Sequence, residues 1–426
     1  MMKIQQNKIV ILFLSVMLLF GYDGNAQERK LSLEEVKSLA LENNKKLQKA
    51  QKSLEAAQAA SASAQAGGKP TVDASATGIY LSDPLNMLLP EYQGSGVLSV
   101  SQVLYAGGKV HNAKKLSASA VELQAAQKDL TEDEILLNAE TAYWQIVNLK
   151  EKNVLANEYV RLLNALHTSL KNSFDAGLIY KNDLLKVEVQ RNEAELNLTK
   201  AEDGLTMAKL SLAQIIGLDN INFDIQDDVS ITYSLVSEAN TLSVESRPEV
   251  KMLGKAVEIQ KLQTELLRGD RRPTVALSAN GIAAFGKQIN FEDGSNDMQF
   301  FVGLLSVNVP IFDWGGRKQK VKEQQFKTEA QKLELEETKE LLGLEIQNAW
   351  LQLNQSAKRI DLTQKSLQQA EENLRLNQDR FEAGTVLGED VLEAQVLWQQ
   401  AYSNVIDARA EYKVSEARYK KAIGEY

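Results

Sequence analysis

Two acidic residues, Asp390 and Glu393, have a spacing that could do chemistry. Residues three positions apart share one face of a helix, so the two carboxylates would lie side by side. Such a pair concentrates negative charge, which favours cations over anions wherever several copies come together. The alternative is structural, because acidic side chains are common at the start of a helix, where they complement the helix dipole. Both interpretations stay open at the level of the residues.

Other kinds of site find little support in the sequence. The chain has two histidines, His111 and His167, and no cysteine. Neither histidine has a second histidine beside it, so we expect no metal site and no histidine-based nucleophile. The lack of cysteine excludes disulfides and thiolate metal sites. No phosphate-binding glycine loop and no nucleophile elbow is present, and the sequence therefore predicts no cofactor and no enzymatic activity.

Composition points to long helices rather than to a compact α/β core. The chain has 426 residues and a net charge of −9, and only 6% of its residues are aromatic. Ala, Gln, Leu, Glu and Lys dominate, which is typical of extended helical proteins. The sequence has no long basic run, so nucleic acid is not an expected partner.

The first residues have the pattern of a targeting segment. Lys3 and Lys8 precede an apolar run from Ile9 to Phe20, which is shorter than the ~20 residues that a membrane-spanning helix needs. Small residues at Gly24 and Ala26 then predict a signal peptide over residues 1–26. The alternative is an uncleaved anchor.

The chain repeats itself. FDAGLIYKNDLL at Phe174–Leu185 returns as FEAGTVLGEDVL at Phe381–Leu392, 207 positions later. Further upstream, KPTVDASATGI at Lys69–Ile79 aligns with RPTVALSANGI at Arg272–Ile282. Matches in the same order over most of a chain indicate an internal duplication. We therefore divide the chain into a first repeat at 27–217, a linker at 218–246 and a second repeat at 247–426.

Both repeats predict the same order of elements: helix, strand, loop, strand, very long helix, turn and helix. Residues 108–172 contain no proline, and their apolar residues recur at three- and four-residue spacing. A helix of this length would measure on the order of 100 Å. Residues 315–378 are its counterpart, and helices this long predict an extended bundle. The strands are expected at about 70–81 and 95–106, and again at about 273–285 and 299–312.

The predicted strands alternate between small or apolar side chains and hydroxyl or amide side chains. Val72, Ala74 and Ala76 would point one way, and Thr71 and Asp73 the other. This is the pattern of a transmembrane β-strand, although a half-buried strand in water gives it too. Four strands are too few to close a barrel, and an open sheet edge cannot face lipid. Strands in a membrane would therefore require several chains to share one barrel.

Several motifs together resemble the TolC-like outer-membrane efflux protein family. They are the strand exits YAGGK at Tyr105–Lys109 and PIFDWGGRK at Pro310–Lys318, the paired turns, and RPEV at Arg247–Val250. The resemblance covers about Leu31 to the end and implies a mainly α fold with a small β part. It implies a homotrimer whose chains each give four strands to a 12-stranded transmembrane β-barrel, continuous with a long periplasmic α-helical barrel. The location would be the outer membrane of a Gram-negative bacterium.

The same resemblance implies the function and the partners. The trimer would be a passive duct in contact with outer-membrane lipid, exporting small molecules or type I secretion substrates. A periplasmic membrane-fusion adaptor would connect it to an inner-membrane pump of the resistance-nodulation-division type or the ABC type. The alternatives are a periplasmic coiled-coil adaptor and a structural envelope protein. Residues 218–246 are the main irregular segment left for an equatorial belt around the helices.

The resemblance also assigns roles to residues. The paired turns, at about 174–182 and 381–389, would be the periplasmic tips, and Asp390 with Glu393 would form the constriction and cation-selective gate. Some relatives carry an arginine that locks the second tip to an aspartate of the first, but Val386 occupies that position here. The expected tip and adaptor contacts are Gly177, Leu178, Asp183, Gly384, Thr385 and Val386. The expected strand-to-helix junctions are Gly107, Gly108, Gly315 and Gly316.

Overall fold

A computed structural model describes residues 29–226, 232–290 and 292–426 of the protein. The predicted signal peptide lies outside these residues. The chain divides into two compact units. Unit 1 takes the described residues of Met1–Glu42, Asn138–Tyr233 and Ile360–Glu411, and unit 2 takes Asn43–Leu137, the described residues of Ser234–Arg359, and Tyr412–Tyr426.

The described residues are mainly helical, with a small β part, as predicted. The helices are α1 (Leu33–Asn43), α2 (Lys45–Ala66), α3 (Lys109–Asp175), α4 (Lys181–Ile216), α5 (Pro248–Gly269), α6 (Gly316–Glu382) and α7 (Gly388–Ala422). The strands are β1 (Arg29–Leu31), β2 (Thr71–Tyr80), β3 (Tyr92–Ala106), β4 (Phe223–Ile225), β5 (Thr274–Gly286) and β6 (Asp297–Asn308). Short 3-10 helices occur at Leu85–Met87 and Thr241–Ser246. Within the described residues, no helix is both long enough and apolar enough to cross a membrane.

Unit 1 is held together by apolar side chains from α3, α4, α6 and α7. One cluster includes Leu155 of α3, Leu374 of α6 and Trp398 of α7, all of them buried. Residues three and four positions apart line one face of each helix, which lets such side chains meet in a continuous seam. The alanines among them, such as Ala394 and Ala401, allow the helices to approach closely.

A second feature of unit 1 is a small parallel sheet formed by β1 and β4. Asp224 of β4 accepts a hydrogen bond from Lys150 of α3 at 2.7 Å, and Lys209 of α4 lies 3.8 Å away. Burial alone would raise the pKa of Asp224, but these two cations hold it below its ordinary value. The beginning of the linker is therefore fixed to the helices by a charged contact.

Unit 2 contains a four-stranded antiparallel sheet in the order β2-β3-β5-β6. Its register aligns Val72, Val100, Ala279 and Gly303, so one residue from each strand lies on the same face. This face carries the small and apolar residues of the alternating pattern, and much of it is exposed: Val72 is 66% exposed. An exposed apolar face of this extent calls for an apolar environment.

The opposite face, called the polar face, carries the hydroxyl and amide side chains together with the apolar Phe300, Val302 and Leu304 of β6. Thr71, Ser101 and Ser278 lie in register there, and the hydroxyls of Thr71 and Ser101 are 2.8 Å apart. Within the described residues, β2 and β6 each pair on one side only. The sheet therefore ends in two edges whose backbone groups are free to pair with other strands.

Arg247, which precedes α5, is the largest fully buried side chain of the described residues, at 1% exposure. Its Nε and Nη2 atoms donate to the carboxylate of Glu249 at 3.0 and 2.6 Å. Its Nη1 atom donates to the carbonyl oxygen of Lys421, near the end of α7, at 2.7 Å. The start of α5 and the end of α7 are thus joined through one guanidinium group.

Candidate functional site

The two predicted tips close in the same way. In the first, Gly177 has a φ of +73° and the N–H of Leu178 donates to the carbonyl of Ser173 at 2.9 Å. In the second, Gly384 has a φ of +71° and the N–H of Thr385 donates to the carbonyl of Arg380 at 2.9 Å. A left-handed glycine followed by this hydrogen bond is a standard way to end a helix, and it satisfies backbone carbonyls that would otherwise lack partners.

The helices next to the tips share one apolar cluster. Leu166 and Leu170 of α3, Val187 of α4 and Val391 of α7 are buried together. A Cβ atom added to Gly388 would lie 2.5 Å from Cδ2 of Leu170, so a larger residue there would force the buried Leu170 side chain to shift. The sequence analysis did not single out Gly388, since nothing local marks a glycine required by a distant leucine.

Asp390 and Glu393 have different surroundings in the chain. The carboxylate of Asp390 accepts a hydrogen bond from the backbone N–H of Leu387 at 2.8 Å, which is the contact of an acid that stabilises a helix start. Glu393 is exposed one turn further along α7. The contact at Asp390 therefore supports the alternative in which this acid stabilises the start of a helix. Glu393 lies on the surface of the chain.

An ion pair joins the two tips within one chain. Lys186 of α4 donates to Glu389 of α7 at 2.6 Å, although the residues are 203 positions apart. This hydrogen bond is the main reason that the pKa of Lys186 lies above its ordinary value. Nearby, Nε2 of His167 in α3 lies 3.3 Å from the carboxylate of Glu188 in α4. The tip helices are thus connected by charges even though Val386 replaces the arginine expected from some relatives.

The tips expose apolar side chains. Leu178 is 77% exposed, Tyr180 82% and Leu387 68%. The sequence analysis selected Leu178 but missed Tyr180 and Leu387, which follow each turn at corresponding positions next to a helix start. The sequence did offer one sign of them, since both are large apolar residues in otherwise polar turns.

The remaining predicted tip residues have mainly structural contacts. The hydroxyl of Thr385 donates to the carbonyl of Arg380 at 3.0 Å. The backbone N–H of Asp183 donates to the carbonyl of Tyr180 at 3.2 Å. Asp183 and Val386 are each half-buried. These contacts fix the backbone of the turns and leave the apolar side chains outermost.

The strand-to-helix junctions use left-handed backbone at equivalent positions. Gly107 and Gly108 have φ values of +63° and +86°, and 207 positions later Trp314 and Gly315 have +57° and +84°. Gly316 instead begins α6. The carboxylate of Asp313, whose sequence counterpart is Ala106, accepts the N–H of Arg317 at 2.8 Å and so stabilises the second junction.

The described residues contain no cluster of three or more His, Asp or Glu side chains arranged to hold a metal ion. The described residues contain a matched pair of tips in unit 1, a sheet with one exposed apolar face in unit 2, and several very long helices. These features define the class of outer-membrane efflux channels.

Comparison with known proteins identifies the family. The family model described as "Outer membrane efflux protein" matches residues 36–218 and 241–425, so the chain belongs to this family. It is 21% identical over 349 residues to outer membrane protein TolC of Escherichia coli, covering 78% of this chain and 69% of that protein. It is 22% identical over 330 residues to outer membrane efflux protein BepC of Brucella suis, covering 75% of this chain and 67% of that protein.

Solved structures agree on the fold. The chain resembles the Campylobacter jejuni CmeC outer membrane channel with a TM-score of 0.80 and 20% identity, covering 92% of this chain and 85% of that one. It also resembles the open state of the Neisseria gonorrhoeae MtrE outer membrane channel, with a TM-score of 0.75 and 18% identity, covering 92% of this chain and 88% of that one. The protein is therefore an outer-membrane channel of an efflux system in a Gram-negative bacterium, with a periplasmic extension. The adaptor alternative is not favoured.

Proposed function

We propose that three copies of this chain assemble into one passive export duct with no catalytic activity of its own. Each chain contributes β2, β3, β5 and β6 to a shared 12-stranded barrel and its long helices to a helical duct. The exposed apolar face of the sheet faces lipid, and the polar face lines the duct. Cargo enters past the tips and leaves through the barrel.

The observation that carries this proposal is the pair of free edges on an apolar-faced sheet. In lipid, each unpaired backbone N–H or C=O costs several kcal/mol, so a membrane sheet must close on itself. Four strands cannot do so, because the smallest membrane barrels have about eight. Pairing β2 of one chain with β6 of the next satisfies both edges, and repetition of one contact closes a ring.

Cross-linking of the free edges tests the assembly, and the lack of native cysteine makes the experiment clean. Ser75→Cys on β2 is combined in turn with Phe300→Cys, Val302→Cys or Leu304→Cys on β6, all on the polar face. We expect at least one pair to give covalent dimers and trimers on non-reducing gels, and light scattering to give three times the chain mass. Each single-cysteine variant serves as a control. A monomeric mass with no cross-linked species contradicts the proposal.

We further propose that the chain arose by duplication, with repeats at 27–217 and 247–426 around the linker 218–246. The family model matches the chain in two segments. The tips, the junctions and the ends of α4 and α7 at Gly217 and Gly424 use the same backbone geometry in both halves. One ancestral hairpin unit used twice would account for these paired features.

The gate of the duct is proposed to be Asp390 and Glu393 of α7. In a trimer, each position supplies three carboxylates around one axis, and such rings favour cations and repel anions. Both acids are exposed, but Glu393 is the better candidate for the innermost charge, since the carboxylate of Asp390 is partly engaged by the backbone N–H of Leu387. Asp390 adds to the ring while also holding the helix start through Leu387.

The tips are proposed to bind a periplasmic membrane-fusion adaptor, through the turns at Gly177 and Gly384. Exposed apolar side chains at a helix turn suit the helical hairpin of a partner. Leu178→Cys and Leu387→Cys, tested in cells with a cross-linker that joins a thiol to an amine, should yield adducts that contain an adaptor. The matched control is Leu351→Cys, an exposed leucine elsewhere on α6. Adducts from the control alone contradict this contact.

The adaptor would in turn connect the duct to an inner-membrane pump of the resistance-nodulation-division type or the ABC type. The two pump types predict different cargo, because the ABC type also serves type I secretion. Comparing drug susceptibility and secreted proteins between a deletion strain and its parent distinguishes them. No change in either would contradict an export role.

A further inference from the structure

Unit 2 contains a cleft of about 340 Å³ beside the four-stranded sheet. It lies where α3 and α6 begin and where α5 ends, at the helix-side ends of β5 and β6. Cavities of this size are typical of small-molecule binding sites. The polar and charged residues that line it are Lys109, Asp270, Arg272, Thr274, Asn308, Arg317 and Lys320.

The lining has a clear excess of positive charge. Four side chains are cationic and one, Asp270, is a carboxylate. Asp270 is paired with Lys109, whose Nζ atom lies 2.9 Å from it. Three cations therefore remain without a carboxylate in the lining, in a chain whose net charge is −9. Gathering cations in a concave site against the overall charge creates a local attraction for anions.

The three cations keep donors available. Nη1 of Arg272 donates to the carbonyl oxygen of Gly107 at 3.1 Å. This hydrogen bond holds the guanidinium group in place and leaves its other N–H groups to donate to a ligand. The Nε atom of Arg317 is 3.7 Å from Asp313, a long contact. The charge of Lys320 helps to lower the pKa of Glu323, one turn further along α6, but Glu323 does not line the cleft. Arginine forks and a lysine point charge are the groups that proteins use for phosphate and carboxylate oxygens.

The cleft opens on the polar face of the sheet. Thr274 and Asn308 line it and are register partners on adjacent strands. They lie on the face that also carries Ser278, opposite the exposed Val307. Side chains alternate along a strand, so a cleft beside Thr274 and Asn308 lies on the side away from the apolar face.

We propose that this cleft binds the oxyanion group of molecules passing through the duct, either a phosphate or a cluster of carboxylates. The inference rests on the proposed function, in which the trimer encloses the polar face. Three clefts then form a cationic belt in the duct wall. A site on an export route must bind weakly enough to release its ligand, so we expect a dissociation constant on the order of millimolar.

The test uses the full-length trimer in detergent and in planar bilayers, with inorganic tripolyphosphate as the probe. Calorimetry measures its binding, and single-channel current measures its block at constant ionic strength. Arg317→Gln with Lys320→Gln should weaken both by about tenfold, since each lost cation removes charge-assisted hydrogen bonds. The matched control is Lys358→Gln with Lys365→Gln, which removes the same charge from exposed positions of α6 and should change neither.

The outcomes are distinguishable. Normal channels that bind tripolyphosphate equally well in wild-type and both double variants overturn the proposed cleft and leave the proposed function intact. Failure of the wild-type protein to form trimeric channels contradicts the proposed function itself. Nanodiscs containing phosphatidylglycerol test whether the bound oxyanion is instead the phosphate of a lipid headgroup. If the Arg317/Lys320 variant loses bound lipid but keeps tripolyphosphate binding, the cleft faces lipid and the inference is wrong.

Discussion

At the tips, Lys186 and Glu389 are the side chains that link the two halves of one chain by charge. Both are largely exposed, at 44% and 55% of their side-chain surface. Exposed ion pairs contribute little to the stability of a fold. The pair is therefore better placed to set the distance between α4 and α7 than to stabilise the chain.

Reversing the charge of Lys186 tests this role. In Lys186→Glu two acids face each other, and we expect the tips to separate and single-channel conductance to rise severalfold. The swap Lys186→Glu with Glu389→Lys restores an attractive pair and should restore the original conductance. Lys181→Glu, at the start of the same helix, controls for the added negative charge. A Lys186→Glu channel that conducts like wild type would show that the pair does not set the opening.

Among the elements, α5 and α7 depend on one buried arginine. Arg247 donates to Glu249 and to the carbonyl of Lys421, so its charge and its hydrogen bonds are satisfied inside the protein. Burial alone would raise the pKa of Glu249, but the hydrogen bonds from Arg247 hold it below its ordinary value. Breaking such a pair leaves a buried charge without compensation, which costs more than the pair gains.

Removal of this arginine should therefore destabilise the protein strongly. We expect Arg247→Ala to lower the unfolding free energy by about 3–5 kcal/mol, measured as a shift in thermal unfolding of the purified protein. Arg247→Met combined with Glu249→Leu removes both charges and should recover much of the loss. Arg268→Ala, an exposed arginine paired with Glu265, serves as the control and should have little effect. An equal shift for both arginines would refute the argument.

Local pattern was enough to predict the mainly helical fold with a small β part, and the motifs were enough to identify the family. Alternation along β2 also indicated which side chains share a face, because side-chain direction in a strand follows directly from position. The contact of Arg247 with Lys421 and the pairing of β1 with β4 join distant segments. No periodicity marks such contacts, since they depend on how the whole chain packs.

In the candidate site too, features set by local sequence could be predicted and contacts between distant segments could not. Gly177 and Gly384 could be predicted as turns because glycine is favoured where φ is positive. The Lys186–Glu389 pair was missed, although Glu389 lies at the end of the second predicted tip and Lys186 lies just after the first. The left-handed backbone at Trp314 was also missed, because tryptophan gives no sign of a conformation that favours glycine. Helix length and strand alternation can be read locally, but partners across the fold cannot.

At the scale of the whole molecule, a gate can exist only in the assembly. One chain presents a single Asp390 and a single Glu393 on α7, and neither makes a constriction alone. In the proposed trimer, threefold symmetry would bring three of each together, and like negative charges around a narrow axis favour cations over anions. The proposed gate therefore depends on the same trimer that would close the sheet edges.

Neutralising the acids should change ion selectivity and conductance together. In planar bilayers under a potassium chloride gradient, Glu393→Gln should reduce the preference for cations more than Asp390→Asn, whose carboxylate is partly engaged with Leu387. Replacing both acids by alanine also removes bulk, so single-channel conductance should rise. Glu371→Gln, an exposed acid on α6, is the control. Unchanged conductance and selectivity in the double alanine variant would place the constriction elsewhere in the duct.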